Sequence, residues 1–329
     1  MNGLAAIQRG EHAEQSGDFV AACAAYESAL EGSDAPVIAS AHWHLGRASW
    51  RQGHLEQAIS HFERARNLAR QLGARELLAQ AENGLGAVYY ARGAYEQARA
   101  AYGVALQFTT DALMRAKVLL NLGVIANIEG DLNTARHSYT QARTIFRQSG
   151  DEGFECLALH NLGMLHADLE EWDEADESFV RCLDLCERRG DRQMVANVLV
   201  NRSEVSSARG RFDEAIASCD LALTIYSQLG DELDRGEALR WKGRALRELA
   251  QLADADEALH EAALIAHRAG VKLLEAESVR ELGLTRRAAG DETGARASLH
   301  KALALFEELG AHRDVADVQA QLAARRRKR

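Results

Sequence analysis

The sequence predicts an all-α protein made of repeated helix-turn-helix units, and three observations support this prediction. A phrase of Asn-Leu-Gly, a turn, an Ala and an aromatic ring recurs about every 40 residues. The 329 residues include one proline, Pro36, and proline interrupts helices. No alternating strand pattern and no Gly/Ser-rich linker separates the repeats. Since a fixed internal period of this length is typical of solenoids, we expect one solenoid of about eight units.

Each predicted unit has a glycine in its first helix and two small residues in its second helix. In one unit these are Gly163, Ala175 and Cys182, with the ring of Phe179 between the two small residues. Small residues seven apart share one helix face with the ring, so we expect the two helices to approach closely at the glycine. The glycine series is Gly10, Gly46, Gly86, Gly123, Gly163, Gly243 and Gly283, with Ser203 in the remaining place.

The turns are predicted from a second set of glycines. Left-handed backbone is expected between paired helices at Gly17, Gly53, Gly93, Gly130, Gly210 and Gly290, whereas Glu170 and Ala250 stand in this place in two units. Between units, pairs such as Gly150-Asp151 predict a helix end and the cap of the next helix. A closing helix is expected from about His312 to Arg325, which gives a single domain over 1–325 and a basic tail at 326–329.

The charge balance argues against a general nucleic-acid binder. The formal net charge is −10, whereas affinity for nucleic acid comes mainly from neutralised phosphates. The basic run Arg325–Arg329 is either a weak contact with nucleic acid or membrane, or a solvated terminus.

The cysteines predict no disulfide framework and no metal site. There are five, an odd number, without paired spacing. Cys182 and Cys186 lie one helical turn apart, but no matching His or Cys pair completes a site, so they are interpreted as small buried residues and no cofactor is expected. Neither a signal peptide nor a long apolar span is present, and this predicts a cytoplasmic protein.

The segments NLGVIANIEGDLNTARHSYTQA and GLGAVYYARGAYEQARAAYGVAL resemble tetratricopeptide repeats, and the resemblance covers nearly the whole chain. Most repeats here have 40 residues instead of about 34, and Gly-Asp replaces Pro at the junction. This long form resembles the repeats of Pins-type adaptors, kinesin light chains, Rap-type peptide-sensing regulators and large bacterial signalling ATPases. The resemblance implies a right-handed superhelix whose first helices line a concave groove that binds a peptide or protein segment. It implies no catalysis.

The family geometry assigns an inward stripe to each first helix, and this stripe supplies the candidate groove residues. The N-terminal zone is aromatic and basic, with Trp43, Arg47, Trp50 and Tyr90. The two tryptophans become core residues if the helical phase is one position off. The middle zone is apolar, with Leu120, Val124, Leu157, Met164 and Val200, and is either packing or binding surface. The inward stripe also contains the polar candidates Asn83, Asn127, His160 and Asn197. The C-terminal zone contains Arg240, Arg244, Arg247, Arg280 and Arg287.

The five C-terminal arginines allow two interpretations. They can hold carboxylates or phosphates of a partner through bidentate hydrogen bonds, which favours a partner with an acidic segment. Alternatively, they form an ion-pair ladder on a solvated surface with carboxylates such as Glu237, Glu248 and Glu277.

The function predicted from the sequence is that of a protein-interaction scaffold or adaptor. The motifs GxxxxGK(S/T), HExxH, GxSxG and CxxC are absent from the sequence, so we expect no enzyme. The alternative is a peptide- or signal-sensing module of a bacterial transcriptional or signalling regulator. In that case DNA contact would come through a partner or the basic tail, because no helix-turn-helix can be separated from the repeats.

Overall fold

The computed structural model describes residues 3–323, which form α-helices and no strand. None of these helices is both long enough and apolar enough to cross a membrane. The predicted tail at 326–329 and the basic run Arg325–Arg329 lie outside the described residues. The helices are α1 Gly3–Gln15, α2 Phe19–Leu30, α3 Ala35–Arg51, α4 Leu55–Leu72, α5 Arg75–Ala91, α6 Tyr95–Phe108, α7 Ala112–Ile128, α8 Leu132–Ser149, α9 Glu152–Asp168, α10 Trp172–Arg189, α11 Arg192–Ala208, α12 Phe212–Leu229, α13 Glu232–Glu248, α14 Leu252–Ala269, α15 Lys272–Ala289, α16 Glu292–Leu309 and α17 His312–Ala323.

The chain divides into two compact units, Met1–Asn161 and Leu162–Arg329, with the boundary inside α9. We call them unit 1 and unit 2. The prediction of a single domain over 1–325 stays a prediction. In each unit, consecutive helices pack against each other as in a helical repeat solenoid, which confirms the predicted all-α repeat fold.

The odd-numbered helices have a second set of neighbours. In unit 1, α1 contacts α3, α3 contacts α5 and α5 contacts α7; in unit 2, α11 contacts α13 and α13 contacts α15. Successive odd-numbered helices therefore lie close together along one side of each unit. We call this surface the odd-helix face: in unit 1 it is formed by residues of α1, α3, α5 and α7, and in unit 2 by residues of α11, α13 and α15.

The predicted close approach of paired helices is confirmed at each glycine of the series. A Cβ atom on Gly46 would lie 2.7 Å from Cδ1 of Phe62. The opposing side chains, which are aromatic rings in the first five pairs and Leu259 and Leu299 in the last two, are buried. The core of each unit therefore lies between the helices of a pair. Where Ser203 replaces the glycine, the opposing residue is the smaller Cys219, and both side chains are buried.

The turns also have the predicted geometry. Glycines such as Gly17 and Gly290 have positive φ angles, and so do the two exceptions, with φ of 58° at Glu170 and 59° at Ala250. Between successive repeats, the Asp151 side chain accepts a hydrogen bond from the backbone N–H of Phe154 at 3.2 Å. The closing helix α17 begins at His312 as expected and covers the preceding pair with the buried side chain of Val318.

Candidate functional site

A pocket opens on the odd-helix face of unit 1 and brings together two of the predicted groove residues, Trp43 and Arg47. Its volume is about 630 Å³. It lies where three successive repeats meet, because α1, α3 and α5 each contribute side chains. The pocket is lined by Glu11, Glu14, Gln15, Trp43, His44, Arg47, Arg51 and Gln80.

A buried carboxylate organises the basic side of this pocket. Glu14 accepts hydrogen bonds from Arg47 Nη2 at 2.5 Å, Arg51 Nη1 at 2.7 Å and the Tyr26 hydroxyl at 3.0 Å. Burial opposes ionisation of Glu14, but its hydrogen bonds and its attraction to the two guanidinium groups outweigh burial and lower its pKa. The two arginines are therefore held in place by one ionised carboxylate.

The predicted aromatic residues lie at the surface of unit 1. Trp43 is half-buried, and the guanidinium of Arg47 lies over its ring at 4.8 Å from the ring centroid. Trp50 and Tyr90 keep 40% and 38% of their surface exposed. These exposures correspond to the helical phase that was used to assign the groove residues.

Four predicted groove residues of α5 and α7 differ in exposure. Leu120 is buried, and Val124 is half-buried. Asn83 of α5 and Asn127 of α7 are half-buried, and the Oδ1 atom of each is enclosed without a hydrogen-bond partner among the described residues. An enclosed acceptor of this kind costs about 1–3 kcal/mol.

Three further predicted groove residues, on α9 and α11, lie in different settings. His160 is half-buried, and burial lowers the pKa of its imidazole. Met164 is 41% exposed. Asn197 is already engaged inside unit 2, because its Oδ1 accepts a hydrogen bond from the Tyr226 hydroxyl at 2.8 Å.

In unit 2, two of the predicted arginines gather around Trp241. Arg240 is buried, pairs with Glu237, and lies over the Trp241 ring at 4.5 Å. Burial disfavours its charge, but Glu237 and then Glu277 outweigh burial and raise the pKa of Arg240. Arg244 lies 5.3 Å from the same ring and is exposed. Within residues 3–323 it forms no ion pair.

The other three arginines have acceptors nearby. Arg247 bonds to Glu281 at 2.6 Å and to Glu248 at 3.0 Å. Arg280 and Arg287 both reach α17: Arg280 Nη1 donates to Asp314 Oδ1 at 2.9 Å, and Arg287 Nη1 donates to the backbone carbonyl of Gln321 at 2.7 Å.

Two residues that shape these sites were not among the predicted groove residues. Glu14 lies in the first repeat, for which no stripe was assigned, although it occupies the place that Trp50 has in the next repeat. Trp241 lies one position beside the predicted stripe, on the side that the phase assigns to packing. The alignment of the repeats could therefore have identified Glu14 as a groove residue. For Trp241, the only indication in the sequence is that it follows the predicted groove residue Arg240.

Comparison with known proteins adds a match to a repeat family over part of the chain and a shared fold. Residues 37–111 and 114–188 match the sequence model of the tetratricopeptide repeat. No curated protein matches the sequence. The crystal structure of the apo form of RapI is similar with a TM-score of 0.78 at 14% identity, over 98% of this chain and 90% of that one. The crystal structure of a Rap protein complexed with competence and sporulation factor is similar with a TM-score of 0.64 at 12% identity. The match covers 97% of this chain and 96% of that one.

A signal transduction ATPase with numerous domains from Pyrococcus horikoshii, which has a tetratricopeptide repeat sensor, gives a TM-score of 0.66 at 13% identity. The match covers 93% of this chain and 49% of that one, so this chain corresponds to about half of that protein. Identities this low show the fold alone. The repeat matches show that the chain contains tetratricopeptide repeats over residues 37–111 and 114–188. The helix pairs and the shared fold show that the same helical-repeat architecture extends over the rest of the described residues.

Proposed function

We propose that the chain is a scaffold or adaptor that binds a peptide or an extended protein segment on the odd-helix face of unit 1. The observation that supports this best is the row formed by Trp43, Trp50 and Tyr90, which stay partly exposed on one face beside a pocket. Exposed aromatic side chains leave apolar surface in water, and Trp and Tyr are enriched where proteins bind each other. A partner's apolar side chains would cover these rings.

The basic side of the pocket supports a carboxylate in the partner. Glu14 provides one negative charge to two guanidinium groups, and each guanidinium has five N–H donors. The side chains of Arg47 and Arg51 are 32% and 46% exposed, so some of their donors are accessible to a ligand. A carboxylate beside the aromatic row would form charge-assisted hydrogen bonds with them.

The two asparagines suit an extended segment. The Oδ1 atoms of Asn83 and Asn127 have no donor among the described residues, and a backbone N–H is the donor that every extended segment offers. A turn of either carboxamide toward the odd-helix face would satisfy the oxygen and fix the direction of the segment. Recognition would then combine backbone contacts with aromatic anchors.

The alternative from the sequence, a peptide- or signal-sensing module of a bacterial regulator, would use the same face. The Rap protein complexed with competence and sporulation factor shares the fold, but at 12% identity it does not assign a ligand to this chain. We propose a cytoplasmic role without catalysis in either case.

The test is selection of binding peptides from a random 12-residue display library, followed by affinity measurement with variants. We expect the selected peptides to contain an aromatic or large apolar residue near a carboxylate. Trp50→Ala together with Tyr90→Ala should weaken binding by about 30-fold or more, because truncating even one aromatic anchor typically costs about 2 kcal/mol or more. Both rings are exposed, so the variant should keep its helical content by circular dichroism.

The matched control removes two exposed apolar residues from even-numbered helices of unit 1, with Val20→Ala and Leu72→Ala. These side chains are 84% and 40% exposed. The control should bind the peptides as the unaltered chain does. Equal binding by both double variants would contradict the proposal.

A further inference from the structure

We propose that unit 2 carries a second binding site, for a small amphipathic carboxylate, in the groove between α14 and α16 over α15. This basic groove is formed by residues of three successive helices and has a volume of about 310 Å³. It lies in a different unit from the proposed peptide site and does not depend on that proposal. It is lined by His260, Ala263, Leu264, His267, Val279, Leu282, Arg286, Ala297, Ser298 and Lys301.

The floor of the basic groove is apolar. Ala263, Val279 and Leu282 are buried, and they form the surface beneath the opening. Leu264 stands at the edge and keeps 47% of its surface exposed. An apolar body of a ligand would cover Leu264 and remove this surface from water.

The titratable residues that line the groove are all basic. They are His260, His267, Arg286 and Lys301, and no lining residue is acidic, although the chain as a whole has a net charge of −10. A carboxylate is therefore the charged group that this groove suits best. A cation in the same place would face only basic or uncharged residues of the lining.

Carboxylates outside the lining hold the basic side chains in position. Lys301 Nζ lies 2.7 Å from Glu275, which is buried, and His267 Nδ1 lies 3.1 Å from the same carboxyl group. Arg286 Nε donates to Asp256 at 2.8 Å. Because an ammonium has three donors and a guanidinium five, Lys301 and Arg286 retain donors for a ligand.

Arg286 is held from a second direction as well. Its Nη1 donates to Ser298 Oγ at 3.2 Å, and Ser298 is itself buried. Side chains that are fixed before binding lose less conformational freedom when the ligand arrives.

The neighbouring repeat provides an internal comparison. The equivalent groove between α12 and α14 over α13 has a volume of about 490 Å³, and its lining includes Asp220, Asp254, Glu257 and Glu261, with Lys242 as the one basic lining residue. In the repeat register, Glu261 takes the place of Lys301, and Leu246 takes the place of Arg286. We call the groove between α12 and α14 the acidic groove. The basic character is therefore particular to the α14–α16 groove and not a general property of the repeat.

The size and the chemistry together define the ligand class. Small-molecule pockets usually have roughly 300–1,000 Å³, so the basic groove is at the lower limit. One short alkyl chain or one aromatic ring fits the floor, and one carboxylate fits the basic rim. Medium-chain and aryl-alkanoic acids combine these features.

The test is a titration of the full chain with 4-phenylbutyrate, with 4-phenylbutanol as the uncharged analogue of the same shape. Methyl resonances are observed by NMR on protein labelled at Leu and Val. We expect 4-phenylbutyrate to shift the methyl signals of Leu264, Val279 and Leu282. The alcohol should bind roughly ten times more weakly, since it lacks the charge-assisted hydrogen bonds.

Two variants import the residues of the acidic groove, Lys301→Glu and Arg286→Leu. Each should weaken 4-phenylbutyrate binding by about tenfold or more while the methyl spectrum shows a folded chain. The control Lys242→Leu, in the acidic groove, should leave binding unchanged. The proposal is overturned if the three methyl signals do not move at millimolar 4-phenylbutyrate. Equal binding of acid and alcohol, or unchanged binding by both variants, would overturn it as well.

Discussion

A Cβ atom on Gly163 would lie 2.5 Å from Cε1 of Phe179, closer than any carbon pair can pack. The aromatic ring thus occupies the space that a side chain on the facing helix would need. The same relationship recurs between Gly46 and Phe62. It explains why a residue that weakens helices stands in the middle of a helix in most repeats.

We expect Gly163→Leu to lower the free energy of unfolding by about 1–3 kcal/mol, because the added side chain must displace the Phe179 ring from a packed position. Chemical denaturation followed by circular dichroism measures the change. The control is Gly103→Leu, at a helical glycine whose Cβ would meet nothing within 4 Å. The control should be neutral or stabilising by up to about 1 kcal/mol. Equal stability of Gly163→Leu and the unaltered chain would show that the close approach is not a constraint.

The repeat architecture was predictable because the contacts that define it have a fixed spacing in the sequence. Gly163 and Phe179 are 16 positions apart, and the same spacing occurs in the other helix pairs. The one repeat without the glycine follows the same logic, since Ser203 stands in the glycine's place and faces Cys219, which is smaller than an aromatic ring. The boundary between the two units was not predictable, because it falls inside α9. The composition does not change at this point of the sequence, and no linker lies there.

The site was less predictable because pairing partners come from other repeats. Arg280 and Asp314 are 34 positions apart, and no local pattern distinguishes a paired arginine from an unpaired one. Arg244 and Arg247 therefore look alike in the sequence, although Arg247 bonds to Glu281. The role of the groove residues in binding stays a prediction.

Ala250 has a φ of 59°, a left-handed conformation that glycine adopts in the equivalent turns, such as at Gly210. For residues with a Cβ this conformation costs about 1–2 kcal/mol. We expect Ala250→Gly to raise the free energy of unfolding by about 1 kcal/mol, less than the full strain because glycine also gains freedom in the unfolded chain. The reciprocal variant Gly210→Ala should lose a similar amount. A thermal melt of each variant decides, and two shifts of the same sign would contradict the explanation.

Buried imidazoles in α3 should make unit 1 sensitive to acid. Burial lowers the pKa of His42 and of His44 to about 4. His42 Nδ1 also lies 3.1 Å from His61 Nδ1, so at most one of these two nitrogens carries a proton. In the unfolded chain a histidine has a pKa of about 6.5, so that the unfolded state binds more protons between these values. Stability is therefore complete above about pH 6.5 and falls as the pH decreases toward 4.

At pH 5 the free energy of unfolding should be lower than at pH 7 by at most roughly 2 kcal/mol for each imidazole, because the unfolded state binds more protons. Urea denaturation at pH 7 and pH 5 measures it. His44→Phe keeps a ring stacked on Tyr26, which lies 4.5 Å from His44, and should reduce the difference between the two pH values. The exposed His54 supplies the control, since His54→Phe should leave the difference unchanged. An identical pH difference in both variants would exclude His44 as a source of the acid sensitivity.

Two of the arginines predicted to bind a partner also hold the closing helix. Arg280 bonds to Asp314, and Arg287 bonds to the backbone carbonyl of Gln321, both on α17. The one buried side chain described in α17 is Val318, so these two bonds are a substantial part of its attachment. We expect Arg280→Ala with Arg287→Ala to accelerate amide hydrogen exchange across His312–Ala323 by roughly tenfold or more, because hydrogen bonds to charged groups contribute about 1.5–3 kcal/mol each.

The control for this experiment is Arg244→Ala, which removes an arginine from the same face that forms no ion pair within the described residues. Exchange in α17 should be unchanged by it. If the double variant also leaves exchange unchanged, α17 is held by apolar packing alone, and Arg280 and Arg287 remain as free to engage a partner as Arg244. If exchange rises only in the double variant, a partner carboxylate that engages Arg280 or Arg287 must compete with α17 for them. Arg244 is then the arginine whose substitution tests partner binding in unit 2 without loosening the fold.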